Sequence, residues 1–237
     1  MGKINTKCNR RFNSCMLKWI RMIWTGGIYM NREIMEFIAD NNGMINTKEA
    51  KQNNISLKRL QRLEANGELE RVAQGLYLHK DFIADPYYLI QYRSSKLVFS
   101  HSTALYLHRL SDENPSIITL TVPSNWNTPL LKEKELYKFY YYKEEIWQIG
   151  QEDIESPYGH TIRIYDKERT LCDCIIRMDE IGRDVVINAI KEYIENVELR
   201  DIGKLYRYAE VFNIKEKVRT YVEVLYDGKV TRKNFCK

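Results

Sequence analysis

Hydrophobic positions in this chain change their period several times, and each change marks an element. From Asn31, Ile34, Phe37 and Ile38 recur at helical spacing, and "DNNG" stops that helix. Met44 and Ile45 predict a short extended piece. Thr47 is placed to cap a second short helix, "KEAKQNN", and "NNIS" makes the next turn. Ser56 is placed to cap a third helix with Leu57, Leu60 and Leu63 as core positions. "ANG" ends it, with Gly67 at the stop. Residues 69–73 and 76–78 read as two short strands about a Gln74-Gly75 turn. Helix, strand, helix, turn, helix, hairpin is the order of a winged helix-turn-helix, a motif whose third helix enters the major groove of DNA.

The remainder mixes periods. Asp85-Pro86 starts a helix to about Tyr92, "KLVFS" is a short strand, and Ser100 or Ser102 caps the helix "TALYLHRL". "SIITLTV" and "ELYKFYYY" are strands, and "ESPYGHTIRIY" is a hairpin with Pro157 and Gly159 in its turn. From Asp166 the pattern is helical nearly to the end. The expected class is α+β: an N-terminal winged helix-turn-helix, then a larger mixed domain with a small sheet and a helical C-terminal part. The expected divisions are a leader at 1–29, the DNA-binding module at 30–80, and a second domain at 81–237, mixed to about 165 and helical over 166–227.

The leader is a separate matter. "MLKWIRMIW" is interrupted by Lys18 and Arg21 and falls short of the roughly 18 apolar residues of a spanning helix. "MGKINT" fits the myristoylation pattern, which is short and common by chance. "GGIYM" can be encoded as GGA-GGA-ATA-TAT-ATG, a ribosome-binding site followed by a start codon. Translation is therefore expected to begin at Met30, with residues 1–29 read through from upstream or disordered.

Charge sharpens the picture only when taken by segment. The formal net charge is +5, but residues 1–29 hold six basic and no acidic side chains, leaving 31 basic against 32 acidic. Residues 31–80 carry eight basic and seven acidic side chains, so any DNA-binding surface must be one-sided. Lys58, Arg59, Gln61 and Arg62 lie on the outer side of the third helix, opposite its leucines. Ser56 and the first helical amides suit a phosphate, and Arg71 and Gln74 sit on the hairpin. The bland alternative is an amphipathic helix with a solvated basic face. Arg200, Lys204 and Arg207 recur on one face of a later helix, a candidate second basic patch or again a solvated face.

The combination "GELERVAQGLYL", "FSHSTALYLHRL", "LTVP" and "YDKERTLCDCI", in that order over residues 31 to about 225, resembles the AbiEi family, antitoxins of bacterial type IV toxin–antitoxin and phage abortive-infection systems. The resemblance implies a winged helix joined to a larger antitoxin domain, repression of the chain's own operon through promoter repeats, and counteraction of a nucleotidyltransferase-like toxin encoded beside it, with or without direct contact. It carries DNA contact onto Ser56, Lys58, Arg59, Arg62 and Arg71. Two positions depart from the family pattern: Gln74, where many relatives have Arg, and Arg109, where a Gly is common.

The leading expectation is a cytoplasmic, non-enzymatic transcriptional regulator and antitoxin, without cofactor, metal or membrane. One rival is a metal-dependent nucleic-acid-processing enzyme using the pairs Asp153/Glu155 and Glu133/Glu135. Neither a Gly-Ser nor a Walker-type phosphate loop accompanies them. Another is an interaction module that has lost DNA binding. Ser100 and His101, adjacent at a helix start, are not expected to converge as a nucleophile and base. His101 and His108 stand ~10.5 Å apart along a helix axis, too far to share a metal. His160 is expected to be solvated in a turn. Arg169 and Asp173 make an intrahelical pair. "KFYYY" is read as sheet packing before base stacking. Five cysteines in no regular spacing indicate reduced thiols, and Cys172 and Cys174, about 200° apart on a helix, cannot chelate one metal together.

Overall fold

The computed structural model describes residues 32–127, 129–196 and 200–234, except for the side chains of 32, 33, 129 and 226–234. The leader, with its proposed start at Met30, lies outside the described residues. The chain divides into two compact units between Ala84 and Asp85. No helix among the described residues is long and apolar enough to cross a membrane.

The first unit runs α1 (Arg32–Asp40), β1 (Met44–Asn46), α2 (Thr47–Gln52), α3 (Leu57–Ala65), β2 (Leu69–Ala73) and β3 (Leu76–His79). Its strands form an antiparallel sheet in the order β1-β3-β2, with Met44 opposite Leu78 and Leu69 opposite His79. Ile34 and Ile38 of α1 meet Ile45, Ala50, Leu60, Leu63, Leu69 and Tyr77 in one apolar cluster. The helix predicted to be capped by Thr47 is instead capped by Asn46, whose side chain accepts from Glu49 N at 2.8 Å. An amide oxygen reaches that donor as well as a hydroxyl does, so the cap moved back one residue.

The second unit has a five-stranded mixed sheet, order β6-β5-β4-β8-β7, from β4 (Val98–Phe99), β5 (Ile118–Pro123), β6 (Tyr137–Tyr142), β7 (Gln151–Glu155) and β8 (Thr161–Tyr165). Helix α4 (Pro86–Tyr92) precedes β4, and α5 (His101–Leu107), a 3-10 turn (Pro129–Lys132) and α6 (Glu144–Trp147) lie between the strands. The helical remainder is α7 (Lys167–Ile176), α8 (Met178–Ile181), α9 (Arg183–Glu195), α10 (Ile202–Val211) and α11 (Lys215–Asn234). One core lies among Tyr87, Ile90, Phe99, Leu120, Val122 and Ile164. A second joins α5 to the C-terminal helices through Leu105, Leu171, Ile190, Leu205 and Val218. Cys172 and Cys174 are free and buried within the second core.

Several connections rest on polar contacts between distant residues. Asp85 caps α4 by accepting from Tyr87 N and Tyr88 N. Its other oxygen accepts from the Ser156 hydroxyl at 2.5 Å and lies 3.1 Å from His160 Nδ1. Burial pushes the Asp85 carboxyl up, but the hydrogen bonds from His160, Ser156 and Tyr88 outweigh it and hold it below its ordinary value. His160 is therefore not the solvated turn residue expected; it is buried against this carboxylate and stacked on Tyr88. Ser100 stands at the N-cap of α5 without capping it; its hydroxyl accepts from Thr121 at 2.8 Å.

Helix α5 ends with Leu110 N donating to Leu105 O and Arg109 N to Tyr106 O, the paired bonds of a Schellman stop. Arg109 occupies its left-handed position at φ +58, a conformation that favours glycine. Arg109 is exposed, so Arg109→Gly should raise unfolding stability by about 0.5–1 kcal/mol. The urea midpoint measures it, and a lower midpoint would mean that the Arg side chain makes a stabilising contact outweighing the strain.

Candidate nucleic-acid interface

Helix α3 is seated by its apolar side. Ile55 precedes the N-cap Ser56 and is buried with Leu60, a hydrophobic staple that fixes the entry of the chain. Leu60 and Leu63 are buried at 0% and 6% exposure, whereas Leu57, expected in the core, is 52% exposed. Steps of three residues advance about 300°, so the three leucines drift by about 60° each and only two fit one core face. The C-terminal end closes with Glu68 N on Leu63 O and Gly67 N on Glu64 O.

That seating turns Lys58, Gln61 and Arg62 to solvent and leaves Arg59 partly exposed. None of Lys58, Arg59 and Arg62 has a side-chain ion pair or hydrogen bond among the described residues. Ser56 is exposed, and its side chain makes no capping bond, contrary to expectation. On the hairpin, Arg71 is exposed beside a bulge, where Arg71 pairs with Tyr77 but Ala73 pairs with Leu76. Gln74 is exposed at the turn and already engaged in a contact. The Gly75 carbonyl accepts from Thr47 N at 2.9 Å, which ties the hairpin turn to the start of α2. One side of α3 thus gathers cations, while the acidic Glu70 lies on the hairpin and Glu68 just before it.

The second basic candidate is differently placed. Lys204 Nζ lies 3.0 Å from Asp166 Oδ2 and 3.5 Å from Glu168 Oε2. Burial works against its charge, but the bond to Asp166 and the nearby carboxylates outweigh it and raise its pKa. Arg200 donates to the Ile194 carbonyl, and Arg207 lies 3.9 Å from Asp201. Lys204 is thus held by two carboxylates of its own unit, Arg200 lies just before α10 with its guanidinium on a backbone carbonyl, and Arg207 stays largely exposed beside Asp201.

One member of each carboxylate pair faces an arginine. Asp153 faces Arg163 across the β7–β8 pair at 3.7 Å, and Glu133 faces Arg93 at 3.4 Å. Among the described residues, no three His, Cys, Asp or Glu side chains could hold a metal ion together. Ser100 and His101 do converge, contrary to expectation, with Oγ and Nδ1 3.0 Å apart. Both are fully buried, and His101 lies flat on Tyr140 at 3.6 Å between ring centres. Burial holds the imidazole well below its ordinary pKa, assisted by the positive charges of Arg169, Arg177 and Lys138. The Tyr140 contact shows the "KFYYY" strand supplying a core ring, while Tyr141 stays exposed at 47%.

Residues 32–78 match the family model AbiEi_4, described as "Transcriptional regulator, AbiEi antitoxin". The match runs from the first residue of α1 to within one residue of the end of β3. No curated protein matches the chain.

Proposed function

We propose, from the regulator match over residues 32–78, that this chain is a DNA-binding autorepressor and the antitoxin of a type IV toxin–antitoxin system. In this reading residues 30–80 form a winged helix-turn-helix and α3 is its recognition helix. Lys58, Arg59, Gln61 and Arg62 face the major groove, Ser56 and the first α3 amides meet a phosphate, and Arg71 and Gln74 reach the backbone from the wing. Residues 81–237 act in the cytoplasm against a nucleotidyltransferase-like toxin from the neighbouring gene. The observation that carries the reading is the unpaired, outward cationic side of α3, on a helix whose opposite side is locked into the core.

The test is binding of the full chain to the duplex upstream of its own gene, over a range of salt. Arg62→Ala should weaken that binding about tenfold and flatten the salt slope by about one unit, as loss of one phosphate contact requires. Equal affinity for upstream and unrelated duplex at every salt concentration would end the repressor reading. The antitoxin half stands or falls on growth rescue when the neighbouring gene is co-expressed with this one.

A further inference from the structure

We infer that Leu57 reads the C5-methyl group of a thymine in the operator, so that α3 recognises an A·T pair through an apolar contact as well as through polar ones. The inference rests on the proposed seating of α3 in the major groove and names the base chemistry it selects. Leu57 is the first residue of α3 and is 52% exposed, although its type and spacing suit a core position. It belongs to neither the apolar cluster of this unit nor the partly buried side chains packed against it.

Its neighbours sharpen the assignment. Residues at the N-terminal end of a recognition helix are the ones that meet base edges. Leu57 occupies that end, between the exposed side chains of Ser56 and Lys58. One turn on, Gln61 lies about 40° from it around the helix axis and is exposed on the same side. A glutamine amide matches the N6 donor and N7 acceptor of adenine. An aliphatic side chain in the major groove has one apolar target among the base edges, the thymine methyl. Leu57 and Gln61 together therefore match neighbouring thymine and adenine edges, with the cationic row Lys58 and Arg62 beside them to hold the register.

The methyl can be removed without altering base pairing. The duplex upstream of the gene is prepared in two forms, one with thymine throughout and one with uracil in its place. Full-length wild-type chain and Leu57→Ala are titrated with both, and with an unrelated duplex in both forms. Wild type should bind the uracil form about fourfold more weakly for each methyl it contacts. Leu57→Ala should bind the thymine form more weakly than wild type does and should no longer distinguish the two forms. Because Leu57 is exposed, its truncation leaves the core intact. Equal binding of both forms by wild type, or the same discrimination by Leu57→Ala, overturns the inference while upstream binding itself upholds the repressor reading. Binding of upstream duplex no tighter than unrelated duplex, in either form, overturns both.

Discussion

Arg169→Ala is expected to destabilise the second unit by about 3–5 kcal/mol, the cost of leaving one partner of a buried ion pair alone. Arg169 is a fully buried side chain whose Nε lies 3.0 Å from Asp173 Oδ2, with both groups at 0% exposure. Its Nη1 donates to the Ile146 and Ile149 carbonyls at 2.8 and 3.3 Å. The guanidinium carbon lies 4.1 Å from the Phe212 ring centre, 4.4 Å from Tyr165 and 4.9 Å from Tyr142. Truncation would leave Asp173 held by the Tyr142 hydroxyl, the Ile146 carbonyl with only the 3.3 Å bond from Ile149 N, the Ile149 carbonyl without the Arg169 bond, and a cavity among the rings. Burial already pushes the Asp173 carboxyl up, against the opposing pull of Arg169 and Tyr142, so the pair is costly even when intact. Hence Arg169→Met with Asp173→Leu should recover part of the loss that Arg169→Ala incurs. Urea midpoints of the wild type and both variants measure this. A shift under about 1 kcal/mol for Arg169→Ala would refute the view of this pair as an organising contact. Gly150 belongs to the same arrangement: at φ +76, a Cβ placed there would come 2.8 Å from Arg169 Cβ.

Gly43→Ala should destabilise the first unit by about 2–4 kcal/mol, adding left-handed backbone strain to overpacking. Gly43 has φ +84, and a Cβ would meet Phe82 Cγ at 2.2 Å. The backbone cannot yield easily, since Gly43 N donates to Ile38 O at 2.8 Å and Gly43 O accepts from His79 N at 2.9 Å. These bonds join the end of α1 to β3, so a shift of Gly43 disturbs the sheet beneath α3. The expected result is lost amide-exchange protection in residues 32–78 and weakened binding of upstream duplex, with protection in α7 and α9 retained. Unchanged protection across α1 and β3 would mean that Phe82 moves aside freely and would remove the packing argument.

Local rules served well where the contacts are local. The order helix, strand, helix, helix, strand, strand was legible from periodicity, because each element there spans ten residues or fewer and carries its own stop. Asp85-Pro86 announced α4 for the same reason: cap and first turn are adjacent in the chain. The outward placement of Lys58, Gln61 and Arg62 followed from the burial of Leu60 and Leu63 alone. Leu57 was misread because a spacing of three drifts around the helix, and spacing does not reveal which two of three leucines the core accepts. Helical spacing likewise grouped Arg200, Lys204 and Arg207 but did not reveal that Asp166 and Glu168, on α7 and at its cap, would reach Lys204.

What the sequence by itself determined is thus the succession of elements, the one-sided charge of α3 and the local stops between them, since these depend on neighbours within a turn or two. Tertiary structure decided which polar groups became interior. His160 found Asp85 from 75 residues away, and Arg169 was enclosed by rings from three other elements or their ends. The physical reason is that a charge or imidazole is buried only when distant partners offset its lost hydration, and the chain brings those partners together only by folding.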